Sequence, residues 1–466
     1  MIVVTSAAPM TATTPDPSSS EPRADESPAD DEGPVALGDA LTLALSFHQR
    51  RQPEQAAKIY GKILEVVPDH AAALHYLGVA LHQLGRSDEG ARLIERSIAI
   101  DSSDAGAHAN LGNVFKERGD LDRAASSYEQ ALALAPDDAA TLNNLGTVYK
   151  GRRRFEDAVA LYRRALALEP DRADARHNLG NALVLMGRPE EALDEFQHAI
   201  RLLPYGVDSY RRLGQILCSL GRVEQATETF RKWAEIHPAD PEARHYLSAC
   251  TGEGVPLRAS DDYVRKTFDR FAASFDEVLE RLEYQAPAIA GEMVDELLGA
   301  PHGNLDVLDA GCGTGLMGAR LRPHARKLAG VDLSPRMLAG AEGRKVYDEL
   351  TVAELTAYLK ANARSFDLVV SVDTLIYFGD LAPVAEGLAN AMRAGGHALF
   401  TLELAPDEKA PSGFVLNPHG RYAHTNAYVR RTLAQAGLEP RDLREVELRL
   451  EAGKRVKGLA VLARQP

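Results

Sequence analysis

Apolar residues follow two different patterns along the chain. Between about residues 37 and 240, small apolar residues return at fixed intervals, and prolines separate the segments. From about residue 261 onward, short apolar runs such as LDVLDA at 305–310 and GLAVLAR at 458–464 alternate with helical stretches. The first pattern indicates a repeated structural unit. The second predicts strands of a largely parallel sheet that is covered by helices on both faces.

The repeated segment has a period of 34 residues, which its glycines mark at Gly78, Gly112, Gly146, Gly180 and Gly214. Small side chains at such positions allow two helices to approach closely. A proline such as Pro170 then prevents the second helix of a unit from continuing. The sequence therefore predicts six units between about 37 and 240, followed by a capping helix at 241–252.

The period and the positions of Gly, Ala and Pro resemble the tetratricopeptide repeat, in which each unit is a pair of antiparallel helices. The resemblance implies an all-α solenoid over residues 37–252, with a concave face that binds a protein or peptide. Asn110, Asn144 and Asn178 occupy the same position in successive units. Similar asparagine ladders occur in the nucleocytoplasmic O-linked N-acetylglucosamine transferases, and an amide both donates to and accepts from a peptide backbone. A spacer or an oligomerisation arm is the alternative.

A glycine-rich stretch, VLDAGCGTGLMG at 307–318, follows the first apolar run of the second zone. Read from Gly313 it fits the dinucleotide pattern G-x-G-x-x-G, and read from Asp309 it fits D-x-G-x-G-x-G. Both patterns place a turn before a helix, and both expect an acid such as Asp332 at the end of the next strand. A carboxylate at Asp309 would attract a cationic ligand and repel a pyrophosphate, which favours the second interpretation.

The stretches VLDAGCGTG, VDLSPRML, VAEL, FDLVVSVDTLIYF and MRAGGHALFTLE resemble, in this order, the motifs of class I S-adenosylmethionine (SAM)-dependent methyltransferases. The resemblance implies a Rossmann-like α/β domain over residues 263–466, after a linker at 253–262. It also implies a seven-stranded sheet whose last strand, GLAVLAR, is antiparallel. The positions that match the SAM site are Asp309, Gly311, Gly313 and Gly315 for the methionine end, Asp332 and Leu333 for ribose and adenine, and Glu354 for adenine.

The residues that face the methyl acceptor are marked less clearly, because methyl transfer needs proximity and orientation more than acid–base help. Asp373 follows the fourth predicted strand at its carboxyl end, where sheets of this kind bind ligands. Tyr422 and His424 precede a helix after the fifth strand. We predict these three residues as catalytic candidates.

An amphipathic stretch before the first strand resembles the lid helices that cover SAM in small-molecule methyltransferases. Its aromatic residues Phe268, Phe271 and Phe275 have helical spacing, and we expect core packing for at least two of them.

Composition adds limits to this account. The net charge of −14 over 466 residues argues against nucleic acid or an anionic membrane as the main partner. The three cysteines show no C-x-x-C spacing, so neither a disulfide framework nor a metal site is expected. Residues 1–36 are rich in Pro, Ser, Asp and Glu and are predicted to be disordered. No apolar run has the length of a membrane helix, and the cytoplasm is the expected compartment.

Two functional hypotheses follow from these resemblances. In the first, the chain is a SAM-dependent methyltransferase that acts on a small-molecule or protein acceptor, and its repeats recruit a protein partner or substrate. In the second, it is a binding scaffold whose methyltransferase-like domain is catalytically silent.

Overall fold

The computed structural model describes residues 2–3, 35–451 and 454–466. The disordered segment predicted at 1–36 lies outside these residues, apart from a short parallel pair formed by β1 (Ile2–Val3) and β2 (Val35–Ala36). Within the described part of the chain, no helix combines the length and the apolar character that crossing a membrane requires.

The chain divides into two compact units, Met1–Pro204 and Tyr205–Pro466. Between residues 37 and 204, the first unit contains five helix pairs: α1 (Leu37–Gln49) and α2 (Pro53–Val66), α3 (Ala71–Gln83) and α4 (Ser87–Ile100), α5 (Ala105–Glu117) and α6 (Leu121–Leu134), α7 (Ala139–Gly151) and α8 (Phe155–Leu168), and α9 (Ala173–Leu185) and α10 (Pro189–Leu202). The second unit begins with a sixth pair, α11 (Val207–Ser219) and α12 (Val223–Ile236), followed by α13 (Pro241–Thr251). The predicted solenoid is confirmed, whereas the domain border at 253–262 stays a prediction.

The glycines of the repeats lie where the two helices of a unit touch. A Cβ atom at Gly146 would stand 2.7 Å from the ring of Tyr162 on the second helix, and one at Gly112 would stand 2.7 Å from the ring of Tyr128. Both tyrosines are fully buried. The small residue on the first helix therefore makes room for a large aromatic side chain on the second.

The remainder of the second unit is an α/β domain. Its helices are α14 (Asp261–Phe271), α15 (Phe275–Arg281), α16 (Ala286–Leu298), α17 (Gly318–Leu321), α18 (Pro335–Gly343), α19 (Leu355–Ala361), α20 (Ala382–Ala391) and α21 (Asn426–Gln435). Its strands are β3 (Leu305–Ala310), β4 (Ala325–Asp332), β5 (Glu349–Val352), β6 (Phe366–Ser371), β7 (Met392–Leu404), β8 (Phe414–Leu416), β9 (Tyr422–His424), β10 (Glu439–Glu451) and β11 (Lys454–Arg464).

Among the described residues of this domain, seven strands form a continuous sheet in the order β10-β11-β7-β6-β3-β4-β5. Strands β3 to β7 are parallel, and β11 pairs antiparallel with both β7 and β10. This confirms the predicted seven-stranded path and its antiparallel last strand. Two short strands that the sequence did not predict, β8 and β9, extend the sheet beside the carboxyl end of β7.

Both faces of the sheet are covered, as the continuous apolar strands predict. Along β3, Val307 and Leu308 point into different clusters of buried residues. Helices lie against both faces, so the carboxyl ends of β3, β4, β5 and β6 form one open edge. The glycine-rich stretch lies at this edge.

Candidate active site

The glycine-rich turn directly follows β3 and is held against two neighbouring segments. Gly311, Gly313 and Gly315 have φ values of 77°, 54° and 85°, a backbone region that L-residues rarely adopt. The N–H of Gly311 donates to the Val331 carbonyl at 2.8 Å, which ties the turn to β4. A Cβ atom at Gly311 would stand 2.0 Å from Oγ1 of Thr374, so only glycine fits there.

Asp332 stands at the end of β4, beside this turn. Its carboxylate accepts hydrogen bonds from the N–H of Gly313 at 2.9 Å and the N–H of Ser334 at 2.8 Å. Burial raises the pKa of Asp332 despite these bonds. The acid and the glycine turn therefore form one bonded unit at the edge of the sheet.

Asp309, the last acid of β3, is 2% exposed. Oδ2 of Asp309 accepts a hydrogen bond from the Tyr347 hydroxyl at 2.6 Å. Burial raises the pKa of Asp309 to about 7, and the charge of Asp332 contributes in the same direction. For both carboxylates, the partners among the described residues are the Tyr347 hydroxyl and backbone N–H groups, with no basic side chain.

A cavity opens at this edge of the sheet. Its largely apolar lining, with a few buried polar groups, is typical of a small-molecule site. The predicted cofactor residues that line it are Asp309, Gly311, Gly313, Asp332, Leu333 and Glu354. Gly315 supports the turn from behind, where a Cβ atom would stand 3.0 Å from the Tyr347 ring.

Glu354 lines the cavity as the N-terminal cap of α19. Its carboxylate accepts hydrogen bonds from the N–H groups of Thr356 at 3.0 Å and Ala357 at 2.8 Å. Capping a helix is a structural role of its own. The contact of Glu354 with adenine stays a prediction.

Asp373, the first catalytic candidate, also lines the cavity. It adopts a φ of 55°, which is unusual for a residue other than glycine. Nη1 of Arg449 lies 3.0 Å from one carboxylate oxygen, and the Thr401 hydroxyl donates to the other at 3.3 Å. Burial raises the pKa of Asp373, and the charge of Arg449 opposes that shift.

A network of buried charges lies behind Asp373. Arg449 also bonds to Glu403 and Glu451, and Arg421 bridges the same two carboxylates. Asp373 is the member of the network that lines the cavity. The network holds the Asp373 carboxylate in place in spite of the strained backbone.

The structure places the other two catalytic candidates away from the cavity. Tyr422 and His424 are both 0% exposed and do not line the cavity. The Tyr422 hydroxyl donates to the Pro256 carbonyl at 2.7 Å, and Nε2 of His424 lies 3.1 Å from the Gly379 carbonyl. The physical reason is that β9, which carries both residues, pairs with β7 and β8 inside the extended sheet. A catalytic role for Tyr422 and His424 stays a prediction, and the proposed function does not use it.

The amphipathic stretch forms α14 and α15, and Phe268 and Phe275 line the cavity. Phe271 is half-buried and stacks on Phe268, with ring centroids 5.8 Å apart. The expectation of core packing is therefore wrong, because two of the three rings form a cavity wall.

The asparagines predicted to bind a partner lie half-buried on α5, α7 and α9 of the first unit. The amide nitrogen of Asn144 donates to Asn113 at 3.2 Å, and that of Asn178 donates to Asn143 at 3.0 Å. The amide of Asn110 lies 2.8 Å from a histidine ring nitrogen on α3. The ladder therefore connects consecutive first helices.

Sequence reasoning missed Tyr347, Arg449 and Thr401, which hold Asp309 and Asp373. They lie 28 to 76 residues from the acids they contact. No local pattern marks these contacts, since the sheet order brings the partners together.

Comparison with known families agrees with this architecture. Residues 263–444 match the Methyltransferase domain family. Tetratricopeptide repeat families match residues 41–105, 104–169, 137–204 and 186–250. The chain therefore carries tetratricopeptide repeats followed by a methyltransferase domain.

Proteins similar to this chain include methyltransferases. The chain is 36% identical over 138 residues to human Methyltransferase-like protein 27, which covers 29% of this chain and 54% of that protein. It is 29% identical over 167 residues to the Ubiquinone biosynthesis O-methyltransferase of Ralstonia nicotianae. This match covers 32% of this chain and 68% of that protein. It is 29% identical over 138 residues to the Malonyl-[acyl-carrier protein] O-methyltransferase of Pseudescherichia vulneris, covering 30% and 52%. The chain thus spans about half to two thirds of the length of these relatives.

Among solved structures, the type IV pilus biogenesis factor PilW is similar with a TM-score of 0.43 and 20% identity, covering 45% of this chain and 98% of PilW. YrrB, described as a TPR protein with an unusual peptide-binding site, gives a TM-score of 0.35 and 24% identity, covering 41% and 97%.

Proposed function

We propose that the α/β domain is a SAM-dependent methyltransferase whose cofactor binds in the cavity at the edge of the sheet. The observation that carries this proposal is the pair of buried carboxylates, Asp309 and Asp332, which line the cavity without a basic partner among the described residues. Buried acids of this kind favour a positively charged ligand. SAM carries a sulfonium and an ammonium group, whereas the pyrophosphate of a dinucleotide would be repelled.

The residues of the chain fit the two ends of SAM. Gly311 and Gly313 let the backbone approach the methionine part closely, and Asp309 faces its positive charge. Asp332 and Leu333 are proposed for the ribose and adenine, with Glu354 nearby. When bound, SAM supplies a methyl group on a positively charged sulfur.

The acceptor is proposed to bind beside Asp373. A carboxylate with a raised pKa can take a proton from an acceptor hydroxyl or ammonium group. Phe268, Phe275 and Tyr377 line the same cavity and would exclude water from it. The names of the relatives refer to different acceptors, so the proposal covers a small molecule or a protein group.

The repeats are proposed to recruit a protein partner or substrate along Asn110, Asn144 and Asn178. Peptides selected on the full-length chain from a displayed random library should lose binding when these three asparagines are replaced by alanine. The matched control, Asn362→Ala, lies in the α/β domain and should leave binding unchanged. Equal binding to both variants would contradict this role.

Titration of the full-length chain with SAM tests the enzymatic proposal. Binding with one site per chain supports it. Absence of binding would favour the alternative of a scaffold with a catalytically silent domain.

A further inference from the structure

Helices α14 and α15, called the lid below because Phe268 and Phe275 line the cavity, begin beside α13, the last helix of the repeat segment. Residues 186–250, which include most of α13, match a tetratricopeptide repeat family. The ring of Tyr263 at the start of α14 stacks on His245 of α13 with centroids 3.9 Å apart, and it meets Tyr246 edge-on at 5.9 Å. All three residues are buried. This end of the lid is therefore fixed by aromatic packing.

A buried carboxylate on α13 adds charged contacts to the same junction. Glu242 is 1% exposed and accepts two hydrogen bonds from Arg270 of α14, at 2.9 and 2.5 Å. Lys266 of α14 lies 3.4 Å from the same carboxylate, and Arg211 of α11 lies 3.7 Å from it. A buried carboxylate is stable only with such partners, so Glu242 joins three helices at one point.

A third contact ties α13 to the sheet. Nε2 of His245 lies 2.8 Å from the carbonyl oxygen of Gly420, in the turn before β9. Burial lowers the pKa of His245, so the neutral ring donates this hydrogen bond. Helix α13 is thus anchored to the α/β domain independently of the lid.

The other end of the lid is held differently, by polar contacts with the two cofactor loops. Asp269 of α14 accepts a hydrogen bond from the Ser334 hydroxyl at 2.5 Å, in the loop that follows Asp332. Asp276 of α15 accepts one from the Thr314 hydroxyl at 2.5 Å, within the glycine-rich turn. Adjacent residues of α14 therefore contact different segments. Asp269 contacts the loop after β4, and Arg270 contacts Glu242 of α13.

Burial also differs along the lid: the end at Tyr263 is buried, and the rest of α14 and α15 is not. All residues of α14 and α15 are described, and Tyr263 is the one that is buried. Segments with few buried apolar contacts open at low free-energy cost. The lid can therefore open by breaking the hydrogen bonds of Asp269 and Asp276 while the packing around Tyr263 stays intact.

We propose that α13 is the fixed support of the lid and that Glu242 is a positioning residue, which sets how long the lid stays closed over the cofactor. The inference rests on the proposed function, because it takes SAM as the ligand beneath the lid. Without the Glu242 carboxylate, Arg270 loses its partner on α13, and the 2.8 Å contact of Lys266 with Asp240 remains as the charged link between α14 and the start of α13. The hydrogen bonds of Asp269 and Asp276 then form less often, and the cofactor leaves faster.

The test is the rate of SAM dissociation from full-length variants, measured by surface-immobilised binding or stopped flow. Glu242→Gln should increase that rate about tenfold, since a lid that is closed for a smaller fraction of the time lets the ligand leave more often. Glu242→Asp, which keeps the charge, should restore most of the slow rate. The matched control is Glu228→Gln, which removes an exposed carboxylate paired with Arg231 on α12. An unchanged dissociation rate in Glu242→Gln would overturn the proposal.

Hydrogen–deuterium exchange without SAM separates this proposal from the proposed function. Exchange over residues 261–271 should become faster in Glu242→Gln, while exchange in β3 and β4 stays as in the unchanged chain. If SAM does not bind at all, the proposed function fails and exchange still reports on the lid. If exchange in α14 is unchanged, the role of Glu242 is refuted whatever SAM does. Should Glu242→Gln unfold, Arg270→Gln gives the same readout, because Glu242 then keeps Lys266 and Arg211.

Discussion

The backbone N–H of Gly313 donates a 2.9 Å hydrogen bond to Oδ2 of Asp332, which joins the glycine-rich turn after β3 to the end of β4. The other carboxylate oxygen accepts from the N–H of Ser334. Each oxygen keeps a further lone pair for a ligand hydroxyl. Asp332 therefore shapes the turn and keeps acceptor capacity for the proposed cofactor.

Replacing Asp332 by alanine should weaken SAM binding by tenfold or more. The lost charge-assisted hydrogen bonds correspond to about 1–3 kcal/mol. Calorimetry on the full-length chain measures this effect. Glu349→Ala is the control, because this exposed carboxylate pairs with Lys327 away from the cofactor cavity. An Asp332→Ala variant with unchanged affinity would refute the assignment of Asp332 to the cofactor.

The affinity for SAM should increase with pH around neutrality. Burial holds the pKa of Asp309 at about 7 in the ligand-free protein, so part of the population is protonated at neutral pH. A cationic ligand requires the ionised form, and its binding therefore releases a proton. Below that pKa the affinity should fall by up to about tenfold per pH unit.

Calorimetry in two buffers with different ionisation enthalpies detects the released proton. In Asp309→Asn, binding should be weaker and should depend less steeply on pH over the same range. A pH-independent affinity in the unchanged chain would argue against a contact between Asp309 and the charge of the cofactor.

Replacing Asp373 by alanine should leave SAM affinity nearly unchanged and reduce methyl transfer by about 10²–10⁴-fold, the usual contribution of a general base. The reason is that Asp373 lines the cavity, where we propose that the acceptor binds, and is held there by Arg449. Transfer of a radiolabelled methyl group from SAM to an identified acceptor measures turnover. Full turnover in Asp373→Ala would show that the acceptor binds elsewhere.

His424 should affect stability in acid and not the chemical step. Burial lowers its pKa from 6.5 to about 4, so the folded protein disfavours the protonated ring. Between these two pH values the unfolded chain binds more protons at this position than the folded chain does. The contribution of His424 to stability is therefore lost as the pH falls. Above pH 6.5 the contribution is fully present.

The variant His424→Gln keeps a donor for the Gly379 carbonyl and removes the titration. Its unfolding free energy should fall less steeply between about pH 6.5 and 4, by up to about 1.4 kcal/mol per pH unit. Urea unfolding at several pH values, followed by circular dichroism, measures the slope. His302→Gln, at an exposed position, is the control. Equal slopes in His424→Gln and the unchanged chain would contradict a buried neutral ring.

The features that the sequence predicted are those encoded locally. The six helix pairs follow from a 34-residue period, and the turn around Gly313 follows from a contiguous motif. The antiparallel last strand was predicted from the family resemblance. Each of these depends on residues that are close in the chain, or on an order of strands that the resemblance supplies.

The sequence is less informative where distant segments meet. Tyr422 and His424 carry polar groups and lie just before a helix, a position that predicts a place in the substrate pocket. The pairing of β9 with β7 buries them instead. Arg449 was not singled out, because its contact with Asp373 spans 76 residues and depends on β10 lying at the far side of the sheet. Local polarity alone does not distinguish a cavity wall from an internal hydrogen bond.

The most direct test of the central claim is calorimetric titration of the full-length chain with SAM and, in parallel, with NAD. The buried acids Asp309 and Asp332 predict that SAM binds with one site per chain and that NAD gives no measurable heat. Binding of NAD together with an absence of SAM binding would contradict the assignment of the cavity to a cationic sulfonium cofactor.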